Sequence, residues 1–171
     1  AFIFREGLAK VKLNGKWGFI DKNGHEKIPL KYDFGWDFLG SQIDDLNDGF
    51  SEGLASVEIN QKIGFVDKTG KEIIPFIYHA VSNFRNGLAA VCLNNKWGCI
   101  DKTGQEITPL KYDKIEICKE GLIRAQSNDN WGLIDKTGRN ISCLKYYCWF
   151  GPDQFEDRFI NGLMRVVSND K

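Results

Sequence analysis

The sequence predicts an all-β fold built as a tandem array, and three observations carry that prediction. Two short motifs return in fixed order along the chain, short runs alternate apolar with polar side chains, and Asn-Gly or Asp-Lys-x-Gly segments separate the runs. The 171 residues are 42% apolar, with 12 Phe, 5 Trp and 5 Tyr, enough to build a packed interior. Lys+Arg 23 balance Asp+Glu 23, so net charge gives no reason to expect a polyanionic partner. No run reaches the ~20 apolar residues needed to cross a bilayer, and Ala1-Phe2-Ile3-Phe4-Arg5-Glu6 is too short and charged for a signal peptide.

The first motif, Glu6-Gly7-Leu8-Ala9, returns as Glu52-Gly53-Leu54-Ala55, Asn86-Gly87-Leu88-Ala89, Glu120-Gly121-Leu122-Ile123 and Asn161-Gly162-Leu163-Met164. The second, Trp17-Gly18-Phe19-Ile20-Asp21, returns as Ile63-Gly64-Phe65-Val66-Asp67, Trp97-Gly98-Cys99-Ile100-Asp101 and Trp131-Gly132-Leu133-Ile134-Asp135. Gly18, Gly64, Gly98 and Gly132 lie 46, 34 and 34 residues apart, a period of 34 with extra residues in the first unit and again in the fourth. The chain thus reads as one array over 1–171, with units at about 4–49, 50–83, 84–117 and 118–158 and a partial fifth at 159–171. Because it stops after the first strand and turn of that fifth unit, a fragment of a longer protein is expected.

Each unit reads as three antiparallel strands. In Leu8 to Leu13, Ala9, Val11 and Leu13 alternate with other residues, which predicts one buried face. Asn14-Gly15 then suits a type I′ turn, which needs positive φ at both central residues; Asn60-Gln61, Asn94-Asn95 and Asn128-Asp129 are its relatives. The second strand, Trp17 to Ile20, is apolar on both faces and suits a central strand. Its glycine needs a reason, and the one expected is close approach, with a neighbouring ring lying flat on Gly18. In Asp21-Lys22-Asn23-Gly24 the carboxylate can accept backbone N–H groups and the glycine can take the left-handed conformation; Asp67 with Gly70, Asp101 with Gly104 and Asp135 with Gly138 repeat the arrangement. In the third strand Ile28, Leu30 and Tyr32 are expected on one face. Pro29, lacking an N–H, places that strand at an edge or a bulge, as do Pro75 and Pro109. An open, twisted, solenoid-like stack follows, with a small propeller as the alternative.

Glu-Gly-Leu-Ala, Lys-Trp-Gly-Phe-Ile-Asp-Lys-x-Gly and Ile-Pro-Leu-Lys-Tyr-Asp, recurring in one phase, resemble the WG-repeat family of tandem modules, over nearly the whole chain. The resemblance implies a β-rich array, often appended to other domains, with no general enzymatic activity or cofactor. Ile63 in place of Trp marks that position as a packing site. A more distant similarity is to choline-binding or cell-wall-binding repeats, where aromatics of adjacent hairpins cage a cation or stack on sugars.

Nothing in the sequence forms a convergent catalytic set, and no cofactor or metal is expected. Asp21, Asp67, Asp101 and Asp135 form a ladder of turn caps, and the lysines beside them are neutralised by those aspartates, which argues against nucleic acid. Cys143-x4-Cys148 lacks a second pair for zinc, and His25 and His79 are expected at the surface. The five cysteines, Cys92, Cys99, Cys118, Cys143 and Cys148, are odd in number and outside a disulfide framework, so free thiols and a reducing compartment, the cytoplasm, are favoured. The non-repeating insertions carry the aromatics most suited to a partner, namely Trp36, Phe38, Trp149 and Phe150. The signature residues Trp17, Gly18, Gly24, Gly64, Trp97, Gly98, Trp131 and Gly132 are assigned to structure. The expected function is a protein-binding or scaffolding module, its partner another protein or an adjoining domain. The rival is capture of a cell-wall glycan or choline-like ligand.

Overall fold

A computed structural model describes residues 3–33, 49–118 and 121–141, together with the backbone of 159–160 and 163–164. Every strand pair in it is antiparallel and joins neighbours in the chain. The first unit is a four-stranded meander of β1 (Phe4–Arg5), β2 (Leu8–Leu13), β3 (Lys16–Asp21) and β4 (Glu26–Tyr32). The second contains β5 (Leu54–Ile59), β6 (Lys62–Asp67) and β7 (Glu72–Tyr78), with Ser51 bridged to Leu54 where the first unit has its first strand. The third contains β8 (Ala80–Val81), β9 (Leu88–Leu93), β10 (Lys96–Asp101) and β11 (Glu106–Tyr112). The fourth contains β12 (Lys114–Ile117), β13 (Ile123–Ser127) and β14 (Asn130–Ile134), and a hairpin of β15 (Phe159–Ile160) and β16 (Leu163–Met164) follows. The fold is all-β and repetitive, and among the described residues no pairing closes a barrel. No described helix is long and apolar enough to cross a membrane.

The three-stranded reading of each unit omits a short leading strand. Glu6-Gly7 is itself a hairpin turn, with φ of 49° and 90°, and Glu52-Gly53 and Asn86-Gly87 repeat it. The pairing of β8 with β9, and of β12 with β13, therefore begins the third and fourth sheets ahead of residues 84 and 118. The expected second turn forms as read: Asn14 and Gly15 have φ of 49° and 81°, and the Asn60, Asn94 and Asn128 turns also take positive φ at both central residues.

Pro29 sits in β4, the last strand of its sheet, and at a register break: Trp17 pairs with Tyr32 while Phe19 pairs with Ile28. The extra residues bulge over Gly18. A Cβ on Gly18 would lie 2.6 Å from the Ile28 carbonyl oxygen and 2.9 Å from the Leu30 nitrogen. Gly64 is crowded in the same way by Ile74 and Phe76, and Gly98 by Thr108 and Leu110. The glycine thus admits a neighbouring backbone, and the expected flat ring is replaced by the bulged strand beside it. The bulge also corrects the expectation that Ile28, Leu30 and Tyr32 share a face. Ile74 and Tyr78 pack toward the third unit, whereas Phe76, the counterpart of Leu30, packs toward the first.

Each sheet has a trailing face toward the next unit and a leading face toward the previous one. In the first seam Leu8, Phe19, Ile28 and Tyr32 meet Ala55, Val57 and Val66. In the second, Ile63, Phe65, Ile74 and Tyr78 meet Ala89, Val91 and Ile100; in the third, Leu88, Trp97, Cys99 and Tyr112 meet Ile123, Ala125 and Ile134. The tip glycines mark the same stacking: Gly70 lies against Ile28, Gly104 against Ile74, and Gly138 against the Ile107 carbonyl. Burial of the Val, Leu, Ile and Phe side chains among them, each worth about 1.5–3 kcal/mol, is what the single units lack and the stack supplies.

Candidate functional site

The repeated polar residues converge on the seams and the hairpin tips. At each tip the aspartate ending the central strand accepts from the backbone two and four residues ahead: Asn23 N and His25 N donate to Asp21 at 2.8 and 3.0 Å, and Thr69 N and Lys71 N donate to Asp67 at the same distances. Asp101 and Asp135 receive the equivalent bonds, with Thr103 and Thr137 hydroxyls donating as well. The N–H of His25 holds the Asp21 carboxyl down at about 2, and the Thr137 hydroxyl does the same for Asp135. Gly24, Gly70, Gly104 and Gly138 take φ of 81° to 86° and complete the turns. These are structural caps, with Oδ1 of each carboxylate accepting from its own turn.

Across the seams runs a second set that motif spacing alone does not expose. Glu6 accepts from Gly53 N at 3.1 Å and pairs with Lys68 at 2.9 Å, and Glu52 accepts from Gly87 N at 2.8 Å. The Lys68 ammonium lowers the Glu6 carboxyl below its ordinary value. Asn86 breaks the rule and donates from its amide to the Cys118 carbonyl. So the acid of each described Glu-Gly turn clamps the glycine N–H of the next unit's corresponding turn.

The strand leaving each unit crosses to the next through a third position. Asp33 takes Lys16 on one oxygen and Asn60 N on the other at 3.0 Å; Asp113 takes Lys96 at 2.7 Å and Asn128 N at 2.9 Å. Those lysines lower both carboxyls. His79 stands in their place between the second and third units, with Lys62 Nζ 2.6 Å from Nε2 and Asn94 N 3.3 Å from Nδ1. Both histidines are exposed at the surface, as read from the sequence.

The aromatic positions divide. Ile63 and Trp97 are buried in their seams. Trp17 is half-buried, with Lys10 and Lys12 ammonium groups 4.9 and 5.4 Å from its ring centre. Trp131 is half-buried under the Arg124 guanidinium at 4.4 Å, and Arg124 pairs with Glu116 at 3.0 Å. Cations of the chain itself thus occupy the π faces that a choline-like ligand would need. Cys92 and Cys99 are buried free thiols, Cys118 is a half-buried one, and burial pushes the Cys99 thiol up to about 12. Among the described residues no group of three His, Cys, Asp or Glu is placed to hold a metal ion. Trp36, Phe38, Trp149 and Phe150, and with them Cys143 and Cys148, lie outside the described residues.

Compared with known families, the sequence matches the WG containing repeat at residues 1–17, 17–41, 63–97 and 97–131. The limits at 17, 63, 97 and 131 fall on the Trp17-type position of each unit. No curated protein matches the chain.

Proposed function

The chain belongs to the WG containing repeat family, and from that premise we propose that it is a non-enzymatic module that binds or scaffolds another protein or an adjoining domain. The observation that carries this reading is the commitment of the repeated carboxylates to the array. Asp21-type residues close their own turns, Glu6-type residues clamp the next unit, and Asp33-type residues tie the crossing strand. What the repeat leaves for recognition is its non-repeating part, where Trp36, Phe38, Trp149 and Phe150 supply the large rings that dominate protein interfaces.

The test is affinity capture with the full chain and with Trp36→Ala and Trp149→Ala variants of unchanged circular dichroism. Loss of a stoichiometric partner from the variants is the expected result; unchanged recovery removes the insertions from the binding surface. The rival reading, capture of a cell-wall glycan or choline-like cation, predicts saturable changes in tryptophan fluorescence on adding choline or chitooligosaccharide. The lysines over Trp17 and the arginine over Trp131 weigh against it.

A further inference from the structure

Hairpin turns of one kind join β2 to β3, β5 to β6, β9 to β10 and β13 to β14, and the first differs chemically from the rest. Asn14-Gly15 stands where the other units carry Asn60-Gln61, Asn94-Asn95 and Asn128-Asp129, and all take positive φ at both central residues. An asparagine followed by glycine is open to attack by its own backbone, because no Cβ on the glycine crowds the approach of its nitrogen to the side-chain carbonyl carbon. Asn23-Gly24 and Asn86-Gly87 share the dipeptide; Asn161-Gly162 lies outside the described residues. The fold holds these steps differently. Gly24 N donates to the Asp21 carbonyl at 2.9 Å. Gly87 N donates to the Glu52 carboxylate at 2.8 Å, and the Asn86 amide donates to the Cys118 carbonyl at 3.2 Å. Gly15 N has no hydrogen bond among the described residues, and a Cβ built on Gly15 meets nothing within 4 Å. Asn14 and Gly15 are exposed, as are Asn60 and Asn94 in the units stacked beyond, so the exposure belongs to the turn itself.

In a type I′ turn the Gly15 nitrogen points away from the Asn14 side chain. Ring closure needs it on the Cβ side, with ψ of Asn14 at about −120°, the value at the first central residue of a type II′ turn. Both turn types join hairpin strands with the right twist, they interconvert by turning over the one peptide between the central residues, and a glycine in second place tolerates both. Turning over the Asn86–Gly87 peptide breaks the bond to Glu52, and turning over Asn23–Gly24 breaks the bond to Asp21. Turning over Asn14–Gly15 breaks none among the described residues. We propose that Asn14 is a site of spontaneous covalent modification, where this untied peptide flips and the Gly15 nitrogen closes a ring onto the side-chain amide. Gly15 N gives its proton to hydroxide and bonds to Cγ, Nδ2 takes up a proton and leaves as ammonia, and a cyclic imide remains. Water then adds to one of the two imide carbonyl carbons and its C–N bond breaks. Opening at Cγ yields aspartate, opening at the backbone carbonyl yields isoaspartate, and nothing is oxidised or reduced. Aspartate-glycine suits the same turn. Isoaspartate runs the main chain through Cβ and adds an atom to the two-residue loop that holds Leu13 opposite Lys16, so it loosens the closed end of the β2–β3 hairpin. The site is separate from the insertions and owes nothing to the partner reading.

Peptide mapping of the full chain by mass spectrometry, after incubation in mildly alkaline buffer, tests it. Conversion of the amide to a carboxyl adds one mass unit, and electron-transfer fragmentation separates isoaspartate from aspartate. Asn14 should convert about tenfold faster than Asn86, the worth of one charge-assisted hydrogen bond, and severalfold faster than Asn23. In urea, where the fold no longer ties any of them, the rates at Asn14, Asn23 and Asn86 should come together. Gly15→Asn, which copies the third unit's own turn, should slow conversion at Asn14 at least about threefold. Glu52→Ala should speed it at Asn86 and leave Asn14 unchanged. The isoaspartate fraction should exchange the Lys16 amide hydrogen faster than the unmodified chain. Asn14 no faster than Asn86, a ranking that persists in urea, or an Asn86 rate indifferent to Glu52→Ala in a chain of unchanged circular dichroism overturns the proposal. So does an isoaspartate fraction that exchanges Lys16 no faster, which would mean that the turn absorbs the added atom.

Discussion

The first and third units carry the same Lys-Trp-Gly segment and put its tryptophan to different use. Trp97 pairs across the sheet with Cys92, has Ala90 beside it, and is 9% exposed in an apolar seam. Trp17 pairs with Lys12, has Lys10 beside it, and stays half-buried beneath two ammonium groups. The glycine after each does the same work in both units, admitting the bulged strand. The lesson is that Trp and Gly of the motif are separable: the glycine answers to its own sheet, while the tryptophan answers to whatever the preceding strand places across from it.

The largest effect should separate the tryptophans. Trp97→Ala leaves a cavity in a closed seam and should cost about 3–5 kcal/mol, while Trp17→Ala should cost roughly half as much, read from urea midpoints. Equal losses would erase the distinction between the two units.

The glycines should behave more alike, with a graded difference. Gly64→Ala sets a methyl 2.6 Å from a backbone carbonyl, and should cost about 3 kcal/mol; at Gly98 the nearest atom is 2.9 Å away and the loss should be about 1–2 kcal/mol. A harmless Gly64→Ala would show that the bulge yields.

A smaller gain is expected where the seam around the second unit departs from its neighbours. A neutral imidazole offers one lone pair, yet both ring nitrogens of His79 face N–H donors, whereas Asp33 and Asp113 accept on both oxygens. His79→Asp should raise the melting temperature by about 2 °C in calorimetry; a fall would mean Lys62 and Asn94 are satisfied by the ring.

The smallest effect concerns acid. Asp21 and Asp135 titrate at about 2 in the folded chain, below the roughly 3.9 of an unfolded aspartate. The unfolded chain therefore takes up protons first, and the stability these caps contribute is complete above about pH 4 and is lost as pH falls toward about 2. Melting temperatures measured across that window should drop, and Asp135→Asn should make the drop shallower.

Much of this was legible because turns announce themselves in single residues. Asn14-Gly15, Asp21 with Gly24, and Pro29 each carry a local backbone requirement that no tertiary contact has to reveal. The leading strand was not legible, since Phe4–Arg5 and Ala80–Val81 are too short to show alternation, and Glu6-Gly7 reads as a motif before it reads as a turn. The role of Glu6, and the shared role of Asp33, His79 and Asp113, depends on which strand crosses to which sheet. Leu30 went to the wrong face because period-two reasoning runs straight through a bulge that only pairing exposes. The insertion aromatics stay where the sequence left them, as candidates.

The crossing itself has a mechanical corollary. A single residue, His79, lies between β7 and β8, and a single residue, Asp113, between β11 and β12. Sheets joined by one peptide step have no hinge between them. Tension applied along the chain must load the ladders of both sheets together, so the second, third and fourth units should yield as one block, a stiff strut in which pulling on one end is felt at the other without stretch between.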